Sequence, residues 1–304
     1  RGAGTLNNAG TVTGGSGGSN PFGGGGGDGG AGVFIVDGGV VKNLAGGSIA
    51  GGIGGYGRRQ TADPLIPPGH GGAGVKGSNV TLINAGSISG ALSGQLSGAG
   101  QQNDTEVRVS SAAVEFTGGV NSLELQAGSV INGNVLAFSA ADTLKLGGGT
   151  DASFDVSQIG DQAQYRGFGI YEKVGTSVWT LTGTTTAVTP WTLTRGTLSI
   201  SADNNLGDAA GALTFNGGAL QFTADVTSAR TATIKAPGGT VDTLANAVTL
   251  SGVIGGTGPL TKLGTGTLTL TGTNTYTGAT TVSAGKLLVN GDQSAATGLT
   301  RAES

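Results

Sequence analysis

The chain has 304 residues, 64 of them Gly, with 11% charged residues, 7 Pro, no Cys, no Met and a formal net charge of -3. This composition excludes a disulfide framework or thiolate metal site and gives no electrostatic footprint for nucleic acid or anionic lipid. It fits neither collagen, which needs Gly at every third position with abundant Pro, nor ordinary disorder, which needs high net charge and few β-branched residues.

Gly inside regular structure costs about 0.5 to 1 kcal/mol relative to Ala, so this much Gly implies many tight turns. Pairs such as Gly38-Gly39, Gly118-Gly119, Gly217-Gly218 and Gly238-Gly239 suit corners between short strands. Arg1 opens in mid-pattern and no apolar run approaches the roughly 18 residues that span a bilayer. Any signal or membrane anchor is therefore expected outside these residues.

Three styles of repeat follow along the chain. Residues 7 to 18 read NNAGTVTGGSGG, 43 to 55 read NLAGGSIAGGIGG and 84 to 90 read NAGSISG, and GGAGV recurs at 29 to 33 and 71 to 75. Each of these units carries a Gly-rich loop of variable content. The segment YGRRQTADPLIPP at 56 to 68 breaks the pattern with Tyr56, Arg58, Arg59 and three prolines. It is expected to project, and Arg and Tyr are common contact residues, so these three are the binding candidates, set against a merely solvated insertion.

A middle region has shorter alternating segments. Leu123 and Leu125 should face one way and Glu124 the other, and Leu144, Lys145 and Leu146 repeat that arrangement 21 residues on, the length of one coil of a parallel solenoid. Third, residues 173 to 200 align without gaps to residues 262 to 289, with 12 of 28 positions identical. The offset of 89 suits about four coils. Leu268 and Leu270 are expected inside, with Thr267, Thr269 and Thr271 outside.

Residues 258 to 291, GPLTKLGTGTLTLTGTNTYTGATTVSAGKLLVNG, closely resemble the passenger-associated transport repeat of type V secretion autotransporters. The stretch from about Tyr165, with NNLGDAAGALTFNGGALQF at 204 to 222, is similar to the usual lead-in to such repeats. The resemblance implies an all-β fold, a right-handed parallel β-helix (β-solenoid) in a single continuous stack with Gly-rich loop insertions. It also implies display at the surface of, or secretion from, a Gram-negative bacterium, with membrane attachment only through a C-terminal barrel absent from these residues. In the family the transport repeat is thought to aid passenger folding during secretion. The expected divisions are 1–104, Gly-rich coils; 105–164, regular coils; and 165–304, coils with the transport repeat.

His70, the one histidine, sits in a Gly loop, and no nucleophile elbow surrounds Ser78 near Asp63, so a serine hydrolase is not expected. Parallel β-helices also host polysaccharide lyases and hydrolases; the carboxylate pairs that could serve are Asp104 with Glu106 and Asp151 with Asp155, and isolated solvated carboxylates are the plainer reading. Gly23 to Asp28 fills six places of a calcium nonapeptide, but Gly30 stands where a large apolar residue is needed. No catalytic residue, metal or cofactor is therefore expected. The expected function is a non-enzymatic stalk or adhesin in adhesion or self-association, with a carbohydrate-active enzyme as the alternative. Its partners would be a host surface or matrix protein, a glycan or the chain itself, and not nucleic acid.

Overall fold

A computed structural model describes residues 4–19, 25–58, 67–97, 108–294 and 301–302, with residues 58, 96, 97, 301 and 302 described by their backbone alone. The chain divides into two compact units, residues 1–142 with 161–168, and residues 143–160 with 169–304. Within each unit every ladder between named strands of the described residues is parallel, and the only helical turns among those residues are two short 3-10 segments, Val156–Gln158 and Asp203–Leu206. Each unit is a parallel β-helix, as the alternation and repeats require.

In the first unit three faces recur in each coil. One stacks Gly4–Asn8, Gly39–Asn43, Val80–Asn84 and Ser122–Leu125. The second stacks Thr11–Thr13, Ser48–Ala50, Ser87–Ser89 and Val130–Asn132. The third stacks Val33–Ile35, Val75–Ser78, Val114–Gly118, Val135–Leu136 and Tyr165–Arg166. Side chains alternate in and out along a strand, so residues in register form columns through the core. Val41, Leu82 and Leu123 make one such column, Ile49 and Ile88 another, and Val75, Val114 and Val135 a third, all fully buried.

The second unit builds its columns the same way. Leu198, Leu220 and Val241 stack on one face, and Val248 above Leu268 on another, at 21 and 20 residues per coil where Leu220 meets Val241 and Val248 meets Leu268. Leu268 and Leu270 are buried while Thr267 and Thr269 are half-buried outside, as alternation predicts. At corners the chain takes positive φ, which Gly accepts without a Cβ clash. Gly38, Gly119, Gly217 and Gly238 do so at φ of 73°, 67°, 106° and 90°, as the pair pattern suggested.

Buried polar side chains also stack. Asn8, Asn43 and Asn84 end successive strands of the first face, and Asn8 Nδ2 donates to Asn43 Oδ1 and Asn43 Nδ2 to Asn84 Oδ1, both at 2.8 Å. Asn84 Nδ2 passes the chain on to Ser129 Oγ at 2.6 Å. An amide both donates and accepts, so one residue type repeated at each coil satisfies itself in the dry interior.

Candidate functional site: a glycine arm

Where they are described, the Gly-rich segments are neither turns nor irregular loops. Three times the first unit leaves its second face and returns to its third, with described outgoing runs at 14–19, 51–58 and 90–97 and returning runs at 25–32, 67–74 and 108–113. The outgoing runs bond side by side in parallel: Gly14 N to Ala50 O and Gly17 N to Ile53 O, then Gly51, Gly54 and Gly57 N to Ser89, Leu92 and Gln95 O. The first two returning runs do the same, with Gly26, Gly29 and Gly32 N on Pro67, His70 and Ala73 O. Antiparallel bonds join the layers: Gly27 and Gly30 N to Gly18 and Gly15 O, Gly69 and Gly72 N to Gly55 and Gly52 O, and Ala91 and Gly94 N to Gly72 and Gly69 O.

Every one of these series steps by three residues. That is the period of the extended threefold helix, which has no internal hydrogen bonds and rises about 9 Å per turn. Its bonds must go to neighbouring chains, and here two layers of such chains supply them.

Gly is required for a reason other than turning. A Cβ on Gly17 or Gly51 would lie 1.8 Å from the carbonyl oxygen of Gly27 or Gly72, and one on Gly54 2.0 Å from Gly69 O, while none of these residues has positive φ. The chains pack backbone to backbone. The expectation that such Gly marks tight turns is thus corrected for the arm and holds at the corners of the β-helix.

Threefold geometry also decides what the arm shows to solvent. Positions 14 and 17 bond the neighbouring outgoing run and positions 15 and 18 the returning one, which leaves Ser16 and Ser19 facing out. By the same count Ile53 and Tyr56, 50% and 51% exposed, stand on the second run, and Leu92 and Gln95 on the third. Burial along residues 51–57 repeats as buried, buried, exposed. The outgoing layer therefore bears a row Ser16, Ile53, Leu92 and a row Ser19, Tyr56, Gln95 on a bed of Gly.

Tyr56 N donates to Ser19 Oγ at 3.2 Å, and Gly57–Arg58 pairs with Leu96–Ser97 just beyond. Of the sequence candidates, the structure places Tyr56 on this surface and the backbone of Arg58 at its far end; the Arg58 side chain and Arg59 lie outside the described residues. Sequence reading passed over Ser16, Ser19, Ile53, Leu92 and Gln95. The spacing G-G-x-G-G-x in GGIGGYG was the available signal.

Of the remaining candidates, Asp28, Asp151 and Asp155 hold structural bonds. Asp28 Oδ1 accepts the backbone N–H of His70 at 2.8 Å, tying two returning runs together on the opposite layer. Ser78 lies on the strand Val75–Ser78 in the β-helix wall; Asp63, Gly23, Asp104 and Glu106 lie outside the described residues. Asp151 Oδ1 accepts from Val178 N at 2.8 Å, and Asp155 Oδ1 from Ser157 N at 2.9 Å as the cap of a 3-10 turn, so Asp151 fastens the start of the neighbouring coil's strand and Asp155 its own corner. Among the described residues no three His, Asp or Glu side chains gather where they could hold a metal ion, and no helix is long and apolar enough to cross a membrane.

Parts of the chain are similar to known proteins. Residues 260–289 match the family model of the passenger-associated transport repeat. Over 139 residues, 45% of its length, the chain is 30% identical to the adhesin BmaC autotransporter of Brucella suis biovar 1 (strain 1330). The chain spans only 4% of that relative's length. No solved structure matches it.

Proposed function

We propose that this chain, autotransporter passenger sequence with its transport repeat at residues 260–289 and so a protein of the Gram-negative cell surface or its exterior, is a non-enzymatic adhesive segment. In this reading the β-helix is the support, and the glycine arm carries recognition for adhesion or self-association.

One observation carries the proposal. The coil that follows the three excursions passes from its second face, Val130–Asn132, to its third, Val135–Leu136, with only Gly133 and Asn134 between. Two residues therefore suffice to close a coil, and the arm is not needed for closure. Three long insertions whose described runs close-pack on one another and hold Ile53, Tyr56 and Leu92 in solvent are what a display element requires. The similarity to a protein named as an adhesin supports the same reading.

The test is a binding screen of the chain against matrix proteins, glycans and itself, beside a variant carrying Tyr56→Ala, Arg58→Ala and Arg59→Ala. Binding that the variant loses supports recognition by the arm. Binding that the variant keeps in full moves recognition elsewhere on the chain.

A further inference from the structure

Lys173 and Lys262 are both fully buried, and both stand in apolar columns. Lys173 pairs with Leu193, which leads on to Phe215 and Ile234; Lys262 pairs with Val241 on one side and Val282 on the other. An ammonium in such a column is costly unless its donors are met.

The two lysines meet them in the same way. Lys173 Nζ donates to Val174 O at 2.5 Å, Gly175 O at 3.3 Å and Arg195 O at 3.3 Å. Lys262 Nζ donates to Leu263 O at 2.8 Å, Gly264 O at 2.7 Å and Ala284 O at 3.1 Å, with Thr243 Oγ1 added at 2.8 Å. The three carbonyls correspond one to one at the 89-residue offset. So do the left-handed glycines beside them, Gly175 with Gly264 at φ of 67° and 81°, and Gly196 with Gly285 at 67° and 71°. Each ammonium holds the corner that follows its own strand and also the corner of the next coil.

The faces do not correspond. Ile170–Lys173 belongs to the face that continues through Trp191–Leu193, Leu213–Phe215 and Ala232–Ile234 to Ile254–Gly256, four coils on, whereas Leu260–Leu263 belongs to the next face round. The offset is thus four coils plus one face rather than four coils. What repeats is a strand, a corner and a strand closed by a lysine, independent of where on the coil it sits.

We infer that the lysine clamp is the group on which a transport repeat closes its corner, and that residues 173–200 form a second, working transport repeat outside the matched residues 260–289. Each clamp ties one coil to the next before the surrounding columns are complete, so its contribution falls on the rate of folding. The inference is independent of what the arm binds.

The experiment measures refolding and unfolding rates of the full chain as wild type, Lys173→Met, Lys262→Met and Lys286→Met, the last an exposed lysine of the matched repeat. Met keeps the aliphatic stem and removes the donors. Both clamp substitutions should slow refolding about tenfold while unfolding stays within about twofold, and Lys286→Met should change neither. Should the Met variants not fold, Lys173→Gln and Lys262→Gln, whose amides keep two of the three N–H donors, should slow refolding in smaller measure, about threefold, with unfolding again within about twofold, and unchanged refolding in both overturns the clamp's role. Faster unfolding with unchanged refolding at both sites makes the lysines ordinary buried contacts and overturns the clamp's role. Slowed refolding for Lys262→Met alone removes the second repeat.

Discussion

Asn43 receives a hydrogen bond from Asn8 and gives one to Asn84, each 2.8 Å long, so it is the middle rung of a buried amide ladder through three coils. Its Nδ2 also reaches Gly47 O and Ser87 O, at 3.3 and 3.0 Å. Replacing it leaves an orphaned donor on Asn8 and a lost donor to Asn84 in the dry core. Asn43→Ala should cost about 2 to 3 kcal/mol in urea unfolding, and a loss below about 0.5 kcal/mol would mean that the ladder contributes nothing net.

Arg230 makes the same argument for a charged group. Its five donors reach five acceptors around the turn Asp203–Leu206: Asp203 Oδ1 and O, Gly207 O, Asp208 O and Gly211 O, between 2.6 and 3.0 Å. Lys cannot reproduce a planar fork. Arg230→Lys should therefore destabilise by about 3 kcal/mol or more, and a thermal melt indistinguishable from wild type would contradict the assignment.

The glycine arm separates two substitutions that composition alone would treat alike. Gly54 is walled by the Gly69 carbonyl, whereas a Cβ on Gly15 meets nothing within 4 Å. Gly54→Ala should abolish amide-exchange protection at Gly69, Gly72 and Gly94, with a cost of about 3 kcal/mol, while Gly15→Ala stays within about 0.5 kcal/mol of wild type. Equal tolerance at the two sites would refute close packing of the layers.

Burial raises the Tyr171 phenol from 10.0 to about 12, and pushes Tyr165 up as well. A phenol whose folded value lies above its unfolded one stabilises the fold fully below pH 10 and loses that contribution as pH climbs from 10 toward 12. Lys262 is lowered by desolvation, an effect partly opposed by Asp242, and acts in the opposite sense: the unfolded chain holds its proton more tightly, so stability from this group rises toward its unfolded value of 10.5. Tyr171→Phe should flatten the alkaline decline and Lys262→Met should steepen it, as urea midpoints at pH 8, 10 and 11 would reveal. An unchanged alkaline slope in Tyr171→Phe would remove the phenol as its cause.

Much of the β-helix was legible because period-two alternation is local. Leu123, Leu144, Leu268 and Leu270 are buried where alternation put them. The lysine clamps hid behind the same rule. Lys262 shares the inward parity of Leu260, and Lys173 that of Tyr171, yet a Lys in a short strand reads as solvated until the carbonyls of the next coil are in place. The arm was illegible for a different reason. An extended threefold run has no internal hydrogen bonds, and its partners lie 36 to 41 residues away in the parallel layers, as Gly14 to Ala50 and Gly32 to Ala73 illustrate. Only the spacing of the non-glycine residues betrays it.

The central claim is that the arm, and not the β-helix, makes contact with a partner. It is tested most directly by displaying the native chain on cells beside a version in which residues 14–32, 51–74 and 90–113 are each replaced by Gly-Asn, the link this protein itself uses at Gly133-Asn134. The account predicts that the shortened chain keeps its β-sheet circular dichroism while adhesion or self-association falls to background. Full adhesion by a folded, armless chain would contradict it.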